Sequence, residues 1–211
     1  MRASAAIGLA VSVLLTACAG KLDYVRPSHY TVPTNTKVIE RPRDAVWNTS
    51  VPELGKQFFV INNLDKSSGL INISYSGDPE RYIDCGRIIS YVKNARGERT
   101  YDFAGSRAQM NYEVMDPGNG LFFLDRRMSL EGRVNLVFEE VSPTHTRVTA
   151  NTRYVVQRNT TIRNISNQQT TQSHSVSFNT GGFGEFPSNP QGTPTCVPTG
   201  ALERDILNAV R

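Results

Sequence analysis

The sequence predicts an α+β domain in which an antiparallel sheet, wet on one side, packs against a C-terminal helix and a shorter N-terminal helix. Three observations lead there. Apolar residues alternate with polar ones in several segments, as in Val134, Leu136 and Phe138 and again in Val148, Ala150, Tyr154 and Val156, the period of a half-buried strand. Apolar residues also recur at helical spacing twice, at Val46, Trp47, Val51, Leu54 and Phe58, and at Leu202, Ile206, Ala209 and Val210. The composition, 38% hydrophobic and 20% charged with a mean hydropathy of −0.36, is that of a globular chain and excludes a helical membrane protein.

The N-terminus stands apart from this pattern. Arg2 supplies a short positive region, residues 7–15 an apolar stretch, and Leu15, Thr16, Ala17 and Cys18 the small residues before a cysteine that mark processing. This resembles the lipobox of bacterial lipoproteins. The resemblance implies cleavage before Cys18, a diacylglyceryl group on its thiol and acylation of the new amine; an ordinary secretory signal with an incidental cysteine is the alternative. Several acyl chains make such anchoring effectively permanent. Ala19 and Gly20, in place of an aspartate, are similar to lipoproteins sent to the outer membrane, so the expected location is that membrane's periplasmic face.

Residues 18–42 contain Pro27, Pro33 and Pro42 among Ser, Thr and Asn and read as a lipidated start followed by a flexible tether. At Asp44, a candidate cap, the first helical face begins; Pro52 within it predicts a kink or two short helices. Residues 58–61 and 70–75, joined by a turn-rich stretch, read as a hairpin, and further strands are expected over 109–114, 133–138 and 146–156. The polar residues 157–175 read as a long exposed hairpin that extends the last strand and returns through Val176 and Phe178. Residues 181–198 read as a loop and 199–210 as the C-terminal helix, capped by Thr199 or Gly200. The expected organisation is a signal over 1–17, a tether over 18–42 and a single periplasmic domain over 43–211.

Val46, Trp47, Leu54, Gly55, Phe58, Val60, Asp65 and residues 69–75 look like the opening of BamC-type domains, lipoprotein accessories of the β-barrel assembly machinery. That resemblance, over about 35 residues, implies a helix-grip fold: a sheet curled against a long C-terminal helix.

Chemistry is sparse. With Cys18 assigned to lipid, Cys85 and Cys196 remain as a pair in an oxidising compartment, read as a disulfide with two buried free thiols as the alternative. His29, His145 and His174 lie far apart with no ligand at metal spacing, so no metal is expected. There is no nucleophile elbow, and Asp84 and the Glu139, Glu140 pair read as solvated strand ends. Residues 116–120 and 181–184 are turn chemistry, and charge is scattered around a net +4, which argues against a nucleic-acid partner. The expected function is a non-enzymatic adaptor or structural subunit of a cell-envelope assembly, of barrel-biogenesis or secretion type. It is held to the membrane by lipid, without cofactors beyond the acyl chains, and engages protein partners. A carrier holding a hydrophobic ligand between sheet and C-terminal helix is the alternative, and the bulky Phe58, Phe59, Phe122, Phe123, Phe138 and Phe178 speak for a filled core instead.

Overall fold

The computed structural model describes residues 19–27, 34–57, 59–118 and 120–211. The signal, Cys18 and His29 therefore lie outside the described residues, as does Phe58.

Two strands organise everything else. β9 (Leu121–Ser142) and β10 (His145–Asn164) form a hairpin of 22 and 20 residues whose pairing runs from Ser142 opposite His145 to Phe122 opposite Asn164. The even-numbered side chains of both strands face one way over most of this length: Arg126, Met128, Leu130, Val134, Leu136 and Phe138 on β9 are buried, as are Thr146, Val148, Ala150, Thr152, Tyr154 and Val156 on β10. The expected inward rows are thus observed and belong to strands far longer than the alternation alone marked: 22 residues where 133–138 was expected and 20 where 146–156 was.

Each outer edge of the hairpin is shared by two strands placed end to end. On β9, residues 130–137 pair with β4 (Leu70–Gly77), which pairs in turn with β3 (Val60–Asp65), while residues 121–127 pair with β8 (Gln109–Met115). On β10, residues 146–149 pair with β2 (Thr36–Ile39) and 153–163 with β11 (Gln169–Asn179). This seven-stranded sheet is joined by two three-stranded ones. One is β1 (Ala19–Val25), β6 (Arg87–Asn94) and β7 (Gly97–Ala104); the other is β5 (Ile83–Asp84), β13 (Thr195–Pro198) and β12 (Gly184–Glu185).

The expected α+β helix-grip architecture is corrected by this arrangement: 60% of the structure is strand and 12% helix, spread over three sheets and two helices. The physical reason is that many strands here lack a continuous apolar face. β11 is almost wholly Ser, Thr, Gln and Asn, and β6 and β7 interleave apolar residues with charged ones on a small sheet of their own. The flexible tether is also corrected. Residues 19–25 pair with β6 from Ala19 opposite Lys93 onward, and residues 36–39 pair with β10, so backbone hydrogen bonding holds segments that carry only two or three apolar side chains each. The loop expected over 181–198 contains β12 and β13. The polar hairpin over 157–175 is present as the β10–β11 turn and its arms.

The helices cover one half of the hairpin. α1 (Arg43–Gly55) runs through Pro52 as one helix, not two, although Pro52 has no N–H to donate to the Asn48 carbonyl. Asp44 occupies the first turn and makes no side-chain cap; Pro42 stands at the N-cap. Trp47 meets Phe138 edge to face at 5.2 Å between ring centres. α2 (Ala201–Ala209) starts at Gly200, whose φ of 71° suits glycine, and buries Leu202, Ile206 and the following Val210 completely. Lys37 of β2 donates to the carbonyls of Leu207 (3.2 Å) and Val210 (2.8 Å), placing a cation on the negative end of α2.

α2 lies close to the sheet because residue 132 is glycine: a β-carbon there would sit 2.7 Å from Leu202 Cδ2. Gly132→Val should cost about 1–3 kcal/mol by overpacking. Thermal denaturation should show a lowered midpoint, and combining it with Leu202→Ala, which vacates the space, should give less loss than the sum of the two single changes.

Candidate functional site

The inward row of β9 and β10 is mostly apolar under the helices, with Thr146 and Thr152 as its polar members, and changes character in the other half. There Arg126 stands opposite Thr160, and Arg158 opposite Met128, which puts the two arginines diagonally across the hairpin on the same buried face. This half is covered by the β1–β6–β7 sheet, where Phe103 meets Tyr112 of β8 at 5.1 Å between ring centres and Ser90 donates to the carbonyl of Glu113 at 2.6 Å. The cover does not close completely. Between it and the hairpin lies a cavity of about 180 Å³. Leu22 and Tyr24 of β1, Ile88 of β6, Tyr112 of β8 and Leu124, Arg126, Arg158, Thr160 and Ile162 of the hairpin form its walls. Gln172 of β11, together with Phe186, Asn189, Gln191 and Pro194 from the segment between β12 and β13, completes the rim.

The segment at the rim is pinned at its C-terminal end. The Tyr24 hydroxyl accepts from the Thr195 amide at 2.8 Å and donates to the Thr195 carbonyl at 3.2 Å. Cys196 is disulfide-bonded to Cys85, with α-carbons 4.0 Å apart, and Cys85 itself lines the cavity. The pairing read from the sequence is therefore present.

Arg126 is 4% exposed. Its guanidinium donates to the carbonyls of Gly105 and Arg107 and approaches the Met128 sulfur, so it ties the β7–β8 connection to the hairpin. Burial pushes it down to about 10, and the positive charge of Arg158 acts in the same direction. Arg158 lies over the Phe186 ring at 4.2 Å and is also lowered by burial. Both stay cationic at neutral pH. Tyr24 and Tyr112 are raised, chiefly by burial, and remain neutral hydroxyls.

A second buried polar group sits under α2. Glu203 is fully buried and accepts from the Tyr154 hydroxyl at 2.8 and 2.7 Å and from Thr180 Oγ1 at 2.8 Å. It lies in the first turn of α2, where the helix dipole favours a carboxylate. Burial, then the nearby Glu203 charge, raises Tyr154. With each carboxylate oxygen bonded, the cluster fastens the helix to the sheet.

The remaining sequence candidates are not brought together. His145 Nδ1 lies 3.2 Å from Ser142 Oγ and 3.0 Å from Thr144 Oγ1 at one hairpin end, and His174 sits on β11. No group of three metal-ligating side chains occurs among the described residues. Asp84 accepts from the Gly86 amide at 2.7 Å, and Glu139 pairs with Arg147 at 3.1 Å on the exposed face. The space expected to hold a hydrophobic ligand, between sheet and α2, is occupied by fully buried Leu202, Ile206, Leu136 and Tyr154. The two arginines escaped the sequence reading, although their even numbering, in phase with Met128, Leu130 and Val156, places a charge on an inward row and was a readable signal.

Architecture and cavity together define a β-rich, disulfide-tied domain with an arginine-lined internal cleft. Comparison with protein-family models, with curated proteins and with solved structures finds no match to this chain.

The disulfide closes a separation of 111 residues and holds the rim segment against β5. Replacing Cys85 and Cys196 together by alanine should cost up to about 4–5 kcal/mol in the chain-entropy account. Urea unfolding followed through Trp47, the single tryptophan, should show the lower midpoint.

Proposed function

We propose that this chain is a non-enzymatic lipoprotein, cut before Cys18 and anchored by acyl chains on that cysteine to the periplasmic face of the outer membrane. There it serves as an adaptor subunit of a cell-envelope assembly. The observation that carries the adaptor role is the free edge of β11. This strand is terminal in the seven-stranded sheet and pairs with β10 alone; among the described residues no strand adds to its other side over 169–177. It is 11 residues long, contains no proline and no lysine, and carries His174 as its single titratable side chain. Exposed edges are normally shortened, charged or interrupted to prevent pairing, so a long edge of Ser, Thr and Gln suits the addition of a partner strand. The occupant we assign is an extended segment of another envelope protein.

Placement of the anchor supports the same reading. β1 begins at Ala19, one residue after the lipidated position, and its start lies beside the β6–β7 turn at residues 94–97. Met115 approaches Gly20, which brings Asp116 and Gly120 of the β8–β9 connection to the same end, and the pairing of Phe122 with Asn164 adds the β10–β11 turn at 164–168. A lipid on Cys18 would set these three turns, with Lys93, Arg96 and the 76% exposed Ile165, at the headgroups. The β11 edge then starts at the membrane and runs away from it.

Two measurements test this. Cys18→Ser should move the protein from the membrane fraction to the soluble periplasm, and mass spectrometry of the native N-terminus should find acyl chains on residue 18; an unmodified chain defeats the anchor. A photo-crosslinking residue at Thr171 should give one discrete heterologous adduct in intact envelopes, lost when Ser173 and Ser175 are both changed to lysine without change in the thermal midpoint. No adduct, or an adduct only with a second copy, defeats the adaptor reading.

A further inference from the structure

Arg126, which is buried, and Arg158, which is half-buried, face the cavity without an anionic partner, and the whole chain can be searched for one. Neither guanidinium forms an ion pair among the described residues. The segments outside them, residues 1–18, 28–33, 58 and 119, contain no Asp or Glu. The one carboxylate at the cavity wall, Asp23, is held by Lys21 at 2.7 Å. Arg126 spends several of its N–H groups on carbonyls, whereas the Arg158 guanidinium makes no hydrogen bond among the described residues and is oriented by the Phe186 ring beneath it. A guanidinium stacked on a ring keeps its edge donors free, in the fork that matches a carboxylate. Holding a buried and a half-buried cation diagonally across the hairpin without a counter-charge opposes folding, so the arrangement is one that an incoming anion would relieve.

We propose that this cavity binds a compact organic carboxylate, its charged group taken by Arg158 and Arg126 and its apolar body seated against Leu22, Ile88, Leu124 and Ile162. The volume sets the size: about 180 Å³ exceeds the roughly 150 Å³ in which an apolar cavity takes up benzene, so a single ring or a short branched chain fits and a diacyl lipid does not. A monocarboxylate suits the site better than a phosphate dianion, because most of the wall is apolar and a second charge would enter it without further donors. Binding here requires neither the membrane anchor nor a partner strand on the outer edge of β11.

The test titrates the purified full-length protein with sodium benzoate, with its neutral counterpart benzamide and with inorganic phosphate, following Tyr24, Tyr112 and the arginine side chains by NMR. Benzoate should saturate and shift those signals, and benzamide should bind at least about tenfold more weakly, as expected for loss of charge-assisted hydrogen bonds. Arg158→Gln should weaken benzoate by a similar factor while leaving the thermal midpoint within a few degrees, since Arg158 supports no neighbouring carbonyl. Absence of saturation, benzamide binding as well as benzoate, phosphate binding more tightly than benzoate, or an unchanged benzoate affinity in Arg158→Gln each overturns the assignment. The benzoate–benzamide comparison decides the matter on the native protein should the variant fold poorly.

Discussion

The β9–β10 hairpin presents one inward face over about 20 residues per strand, and that face must be taken out of water along its whole length. A strand of that length extends about 65 Å, more than any single helix of this chain can shield. The rest of the fold follows from that requirement. Two different covers meet along the hairpin, helices over one half and a second sheet over the other, and each edge of the hairpin is likewise shared by two strands laid end to end.

The two covers are fixed by different chemistry. Under the helices the inward row is mostly apolar and close-packed, with Trp47 on Phe138 and Leu202 over Gly132, and the buried Glu203 adds directional bonds to Tyr154 and Thr180 that specify where α2 sits. Under the small sheet the row carries arginines, and closure relies on Arg126 reaching the carbonyls of Gly105 and Arg107, on Tyr24 holding Thr195, and on the Cys85–Cys196 bond. A cover built from polar tethers leaves gaps that one built from side-chain packing does not. The cavity falls where the tethers are.

The same polarity separates the molecule's surfaces. The turns at 94–97 and 164–168, with Asp116 and Gly120, gather with Ala19 at the arginine-lined end, and α1, α2 and the β3–β4 turn occupy the other. The buried core lies mostly in the helical half, so the half that carries the cleft and the unpaired β11 edge is the less densely packed one.

The sequence by itself determined the local periods: the inward rows Val134, Leu136, Phe138 and Val148, Ala150, Tyr154, Val156, the two helices, the β10–β11 hairpin and the candidate cysteine pair. These are properties of neighbouring residues, set by the pleat and by helical spacing. Only the tertiary structure decided that residues 19–25 and 36–39 are strands, that 87–104 form a second sheet, and that the architecture is β-rich with several sheets instead of a helix-grip. Those segments have little apolar periodicity and are held by hydrogen bonds to partners far away in sequence, such as Ala19 to the strand bearing Lys93 and Thr36 to the strand bearing Thr149. The arginine site lies between the two. Parity along β9 and β10 placed Arg126 and Arg158 on an inward face, but their diagonal placement depended on the register of the hairpin, and the absence of a carboxylate between them depended on what the second sheet brought over them.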